Sequence, residues 1–351
     1  MEELLRFVLL VFYALSFVSA HEVSSTGYLI GLTVNLGSFP PVQRRAPDLL
    51  RHRRGDNVTA RLAQFRDRTR AGSAVTPTGI SKLDVNTGNV TLVETFADVY
   101  HCTETSYDDV EKTLYLLING DTLTPYNVKK NVFLDAVQVD ASNCDQGQPC
   151  FSEMRYDEKN KRLLAIGVGY PQGQGNSIVS IDPQSGEVKG LYQFSINCGV
   201  YLDSSTFDPD SQVFYAWLSC LDSQVVNEVV GIDLGKLQNF TVADTGLHDV
   251  YSPMTYLKGR KELVGVNGAQ NNLVKLANNE STSVSSTLGG IPSENGIVVG
   301  HDAGAIVYAS CQHFTDSVFS IANIDKGTVQ ILKNNYVLNY PHFVSVEGGV
   351  Q

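Results

Sequence analysis

Phe151-Ser-Glu-Met-Arg-Tyr156, Arg162-Leu-Leu-Ala-Ile166, Asn176-Ser-Ile-Val-Ser-Ile-Asp182 and Glu187-Val-Lys-Gly-Leu-Tyr-Gln-Phe194 are four short β-type runs in one stretch of chain. Between them lie Asp157-Glu-Lys-Asn-Lys161, a Gly/Pro/Gln-rich loop over 167–175 and the turn Pro183-Gln-Ser-Gly186. Short apolar runs split by polar, Gly-containing turns predict a four-stranded antiparallel sheet. A sheet this small cannot bury either face alone, so it needs similar sheets stacked against it.

Those neighbours are visible in the sequence. Leu83-Asp84-Val-Asn-Thr-Gly88-Asn-Val90 matches Ile181-Asp182-Pro-Gln-Ser-Gly186-Glu-Val188, with weaker versions at Ile232-Asp233-Leu-Gly235 and Ile324-Asp325-Lys-Gly327-Thr-Val329. An Asp ahead of such a turn caps its free N–H groups, and Gly takes the positive φ. A second signature leads into each second strand: Tyr107-Asp108 before Leu114-Tyr115, Tyr156-Asp157 before Leu163-Leu164, Phe207-Asp208 before Val213-Phe214, and Tyr256-Leu257 before Leu263-Val264. His301-Asp302 before Ile306-Val307 is a degenerate copy. The starts at 107, 156, 207 and 256 are 49, 51 and 49 residues apart.

Four strands at a period near 50 predict an all-β fold, a β-propeller whose blades pack face to face around an axis. The alternation of the two signatures resembles the YVTN-type, quinoprotein-dehydrogenase-like propellers over about residues 78–346. The resemblance implies architecture and no particular activity. No residues match a quinone-cofactor site. Complete units start near Val99, Phe151, Cys198, Ser252 and Gly296, while 79–95 supplies only a third and fourth strand. Tyr340–Val346 then gives the missing first strand and Tyr28–Val34 the second. The expectation is six blades, with the closing blade shared by N- and C-terminal strands so that the ring has no open seam. Seven blades would need strands inside 44–70, whose composition argues against them.

That segment is chemically distinct. Residues 44–70 hold nine Arg against Asp48, Asp56 and Asp67, a local +6; with −11 overall, the remainder carries −17. Val58, Leu62 and Phe65 have helical spacing. The basic arm, about residues 40–75, is expected to be an insertion between the second and third strands of the closing blade. Arg51-His-Arg-Arg54 resembles a furin-type processing site; the alternative is a solvated loop that pairs with the acidic body. The acidic balance of the whole chain argues against a nucleic-acid binder. Leu4–Val18 is almost wholly apolar and Val18-Ser19-Ala20 suits signal peptidase, so residues 1–20 are expected to be a signal peptide and the mature 21–351 a single secreted domain. An uncleaved anchor is the alternative, and no later run is long enough to span a bilayer. Sequons at Asn57, Asn89, Asn239 and Asn279 predict N-glycosylation.

Six cysteines in a secreted chain predict disulfides rather than free buried thiols. Cys198 and Cys220 lie equally far from Pro209, which places them opposite each other, and Cys144 and Cys150 flank a short loop. Cys102 and Cys311 remain without an assigned partner. Propeller ligand sites gather at one channel mouth, on the segments leading into the innermost strands and the loops joining second to third strands. The first group offers Tyr100, His101, Glu153, Asn197, Ser252, Glu294, Asn295, Tyr340 and His342; the second includes His313. Glu153, Asn197, Glu294 and Asn295 are carboxylate and amide oxygens suited to Ca²⁺. His101 with His342 could instead bind a transition metal or act as acid and base. Tyr100, Ser252, Tyr340 and His313 are candidate ligand contacts, and bonding to channel water and neighbouring blades is the bland alternative. No paired-His metal motif, nucleophile elbow, P-loop or dinucleotide fingerprint occurs. The expected function is a secreted, glycosylated binding module for an extracellular protein or small ligand. The alternative is a metal-dependent hydrolase or lactonase with its ion at the channel mouth.

Overall fold

The computed structural model describes residues 27–34, 79–95, 102–144, 150–221, 225–244, 251–268, 270–277, 280–300, 305–313, 316–334 and 336–346. The expected signal peptide, the whole of the basic arm, Tyr100, His101, Asn57 and Asn279 lie outside them. The described residues form strands and turns, without helix, in six antiparallel sheets.

The chain begins with β1 (Gly27–Val34), β2 (Gly79–Asp84) and β3 (Val90–Thr95). The second blade is β4 (Cys102–Asp108), β5 (Thr113–Ile118), β6 (Thr122–Asn127) and an outer strand broken into β7 (Val132–Phe133) and β8 (Val137–Gln138). The third is β9 (Phe151–Asp157), β10 (Arg162–Gly167), β11 (Ser177–Ile181) and β12 (Val188–Gln193). The fourth is β13 (Cys198–Asp208), β14 (Val213–Leu221), β15 (Val225–Asp233) and β16 (Gln238–Asp244). The fifth is β17 (Tyr251–Leu257), β18 (Glu262–Asn267), β19 (Asn272–Ala277) and β20 (Glu280–Thr287). The sixth is β21 (Ile291–Val299), β22 (Ile306–His313), β23 (Asp316–Asn323) and β24 (Thr328–Asn334), and β25 (Val337–Ser345) follows. β25 pairs with β1, giving the order β25-β1-β2-β3, so the predicted shared blade closes the ring. The inner strands β4, β9, β13, β17, β21 and β25 pack in that circular order.

Six hydrophobic clusters fill the six seams. Ile30, Leu32 and Ile80 of the closing blade meet Leu114, Leu116 and Tyr126 of the second. Leu29, Leu83 and Val90 on its other face meet Tyr308 and Phe319 of the sixth. The remaining four seams are built in the same way. Each aliphatic or aromatic side chain buried here contributes about 1.5–3 kcal/mol of hydrophobic stabilisation. Period-2 alternation is what sends successive residues of one blade to its two neighbours.

Both repeated signatures have a physical cause. Asp84 Oδ1 accepts N–H bonds from Asn86 and Thr87 at 2.8 and 3.2 Å, and Asp182 Oδ1 accepts them from Gln184 and Ser185 at 2.7 and 3.2 Å. Gly88 and Gly186 each take φ 75°. The weaker copies depart from this pattern. After Asp233 the positive φ falls on Leu237, not Gly235. In the last copy Asn323 caps Lys326 N–H at 3.0 Å, and Asp325 instead pairs with Arg260. The second signature is a clasp between blades: Asp108, Asp157 and Asp208 are buried and cap the turns that follow them. Each also binds the next blade, through Tyr156 on Asp108, Gln212 on Asp157 and Tyr256 on Asp208. Burial alone would raise Asp157, but hydrogen bonds from Asn160, Gln212 and Arg162 hold its carboxyl below the usual range.

The expected disulfides Cys144–Cys150 and Cys198–Cys220 are present. Cys311 is a buried free thiol, pushed up to about 12 by burial.

Candidate functional site

All inner strands of a propeller run the same way, so their first residues share one face with the second-to-third-strand connections. The end of β1 at Val34 and the start of β2 at Gly79 lie on that face. Ile196, just before β13, and Ile291, the first residue of β21, are 59% and 65% exposed on it. Gly175 of the 167–176 loop lies against Ile196. Asn89 and Asn239 belong to the opposite side, in or just after the third-to-fourth-strand turns.

Each inner strand breaks register with its second strand near this mouth. The breaks fall between Cys102 and Glu104, Val200 and Ser205, Tyr251 and Met254, and Pro292 and Ile297, opposite Ala165 in β9, and opposite Gly31 in β25. Such bulges add residues to one strand and turn side chains to a new direction. The bulge residues Glu153 and Tyr340 carry φ of 58° and 48°, an unusual state for residues with a Cβ. Gly31 lies beneath the second of these, where a Cβ would come 2.6 Å from Asn339 O. β13 and β21 bulge furthest, by three residues each, and approach one another to within 8 Å between Cα atoms although β17 separates them in the ring.

Glu153, Ser252, Glu294, Asn295 and Tyr340 therefore all sit on bulged inner-strand segments. Glu153 and Tyr340 are the two of these whose side chains are described. Glu153 is fully buried, and its Oε2 accepts Ser205 N–H at 3.1 Å and Ser205 Oγ–H at 2.7 Å. Arg155 Nη2 lies 3.4 Å from the same oxygen and donates to Ser205 O at 2.6 Å, while Nη1 donates to Met154 O at 2.7 Å. This carboxylate ties the third blade to the fourth. Tyr340 is buried in the core between the closing and second blades rather than lining the mouth. Asn197 is exposed in the turn before β13. His342 Nε2 is 2.8 Å from Thr105 Oγ, and its ring faces Tyr107 at 6.1 Å. Burial first, and the charge of Arg155 second, push its pKa down to about 3, so the ring is neutral at physiological pH. The side chains of Ser252, Glu294, Asn295 and His313 lie outside the described residues. Among the described residues no three His, Cys, Asp or Glu are grouped to hold a metal ion.

Sequence reasoning missed Arg155, Ser205 and Thr105. Arg155 was detectable as the residue two places after Glu153 on one strand, but Ser205 and Thr105 come from neighbouring blades. Without the ring register nothing marks them.

The fold defines the protein as a six-bladed β-propeller. No family model and no curated protein sequence matches the chain. Among solved structures it is similar to TolB from Acinetobacter baumannii, with a TM-score of 0.55 at 11% identity over 91% of this chain and 66% of that one. The chain thus spans just under two thirds of the TolB chain. It is also similar to a chain of the nidogen/laminin complex, with a TM-score of 0.53 at 8% identity over 77% of this chain and 95% of that one. At these identities the likeness is one of fold.

Proposed function

We propose that the protein is a secreted, glycosylated propeller that acts as a binding module, engaging an extracellular protein or small ligand through the face where the inner strands begin. One observation carries this reading: the mouth presents exposed Ile196 and Ile291, while Glu153 is bonded to Ser205 and His342 to Thr105. Apolar residues exposed on that face, with Glu153 and His342 already bonded within the protein, suit recognition by contact rather than acid–base chemistry. The two described sequons, Asn89 and Asn239, lie toward the opposite side. Two disulfides agree with an oxidising compartment. No helix among the described residues is long and apolar enough to cross a membrane. The repeat-level resemblance to YVTN-type, quinoprotein-dehydrogenase-like propellers belongs to this reading as architecture only.

The hydrolase alternative places Ca²⁺ on Glu153, Asn197, Glu294 and Asn295. It is the weaker reading because Glu153 already accepts two hydrogen bonds from Ser205 and lies against Arg155. The test is to express the full chain in secreting animal cells and examine the protein in the medium. A binding module should appear there with a glycosidase-sensitive mass and bind members of an extracellular-protein panel. Turnover of esters or lactones that depends on an added divalent ion would overturn it.

A further inference from the structure

Between the fourth and fifth blades, away from the mouth, lies a cleft of about 410 Å³. That is within the range of small-ligand sites, about 300–1,000 Å³. Its walls are aromatic. Tyr215 and Tyr256 stack at 5.5 Å and 17°, and Phe240, 47% exposed, lies across Gly231, where a Cβ would come 2.3 Å from its ring. Leu263 and Leu276 continue from this cleft into the seam cluster that holds Trp217. The rim carries two lysines and Glu262, and its Thr241 Oγ–H donates to Glu228 at 2.8 Å. Lys275 is neutralised by Glu262 at 2.7 Å and Arg260 bonds the same carboxylate at 3.0 Å. Lys261, also lining the cleft, makes no ion pair among the described residues.

The seam also holds polar atoms left without partners. Trp217 Nε1 is buried, its residue only 4% exposed, and Asn272 Oδ1 is buried as well; neither has a hydrogen-bond partner. Asn272 is two residues before Val274 on β19, so it shares the face that Val274 turns to Trp217. Buried groups of this kind are rare in a finished interface.

We infer that this cleft is a binding site for a small carboxylate built on a ring, whose body stacks on Phe240 and the tyrosine pair and whose negative charge meets Lys261. A sugar acid and an aromatic acid share that chemistry. The apolar face of either ring packs on aromatic side chains, and an uncommitted lysine on a chain of net charge −11 supplies the anion contact.

Trp217 is the chain's sole tryptophan and shares a cluster with Leu263 and Leu276 of the cleft, so its fluorescence reports on this seam. The full-length protein is titrated with sodium glucuronate in one arm and sodium phenylacetate in the other. Methyl glucoside and phenylethanol serve as uncharged controls. A saturable change in Trp217 emission is expected with one of the acids and not with its uncharged control. Lys261→Met and Phe240→Ser are expected to weaken that binding at least tenfold, while Lys261→Arg retains it. Both positions are exposed, and Phe240→Ser keeps the Asn239-x-Thr241 sequon. The inference is overturned if neither acid saturates by about 10 mM, if the uncharged control binds equally well, or if Lys261→Met binds as tightly as the wild type.

Discussion

Replacing Glu153 with Ala removes the acceptor of Ser205 N–H and Ser205 Oγ–H at a fully buried position and takes the carboxylate away from Arg155. Each buried donor left unmade costs about 1–3 kcal/mol, and breaking a buried ion pair from one side costs about 3–5 kcal/mol. Arg155 keeps its bonds to Met154 O and Ser205 O, which limits the loss, so Glu153→Ala should cost about 3–5 kcal/mol. Backbone strain adds a second, independent mark. At φ 58°, Gly is favoured over Ala by about 1 kcal/mol, so Glu153→Gly should be less destabilising than Glu153→Ala, the reverse of the order in an ordinary strand. Glu153→Gln keeps one acceptor oxygen and should cost about 1.5–3 kcal/mol. Urea unfolding with the disulfides intact measures all three as midpoint shifts at constant m. If Glu153→Ala falls within about 0.5 kcal/mol of wild type, or Gly proves worse than Ala, the carboxylate is not the clasp described here.

Three further outcomes follow from the same geometry. Non-reducing peptide mapping should recover Cys198 and Cys220 in one linked fragment, and Cys220→Ala should cost about 3 kcal/mol; recovery of either as an alkylated thiol contradicts the register. Because the folded pKa of His342 lies below its unfolded value, the folded state binds fewer protons. The stability it contributes is complete above about pH 6.5 and is lost as pH falls toward 3, by at most about 1.4 kcal/mol per pH unit. His342→Gln should flatten that acid limb, and an unchanged slope would show that the imidazole is not held neutral. The Cys311 thiol, pushed up to about 12 by burial, should resist iodoacetamide at pH 8 until the protein unfolds, and rapid alkylation of the native protein would contradict that setting.

The repeat was legible because blade architecture imposes local chemistry. Asp84 and Asp182 cap turns that need a carboxylate, and Asp108, Asp157 and Asp208 recur where inner strands end. The closing blade was legible for a related reason: Tyr28–Val34 and Tyr340–Val346 were strands with no sheet of their own. The bulges were not, since an extra residue in one strand leaves no periodic trace in the sequence. Cys198 and Cys220 show the consequence. The true turn pairs Asp208 with Val213 and is centred beyond Pro209; the three-residue bulge of β13 restores the pairing of the two cysteines. The site was legible as a set of positions and not as a set of roles. Glu153 was found at the bulge ring, yet its meaning depends on Ser205, 52 residues later, and on Arg155. A buried clasp and a metal ligand look alike when only the carboxylate is visible.

The central claim is that the mouth face recognises a partner without metal chemistry. Binding of the secreted protein to an extracellular-protein panel should be measured in EDTA for the wild type, for Ile196→Asp with Ile291→Asp at the mouth, and for Val110→Asp with Leu237→Asp. The last pair replaces exposed apolar residues in turns on the opposite face and is the control. The account predicts binding that survives EDTA, is lost in the mouth variant and is kept in the control variant. Binding retained by the mouth variant, or abolished by EDTA in the wild type, would contradict it.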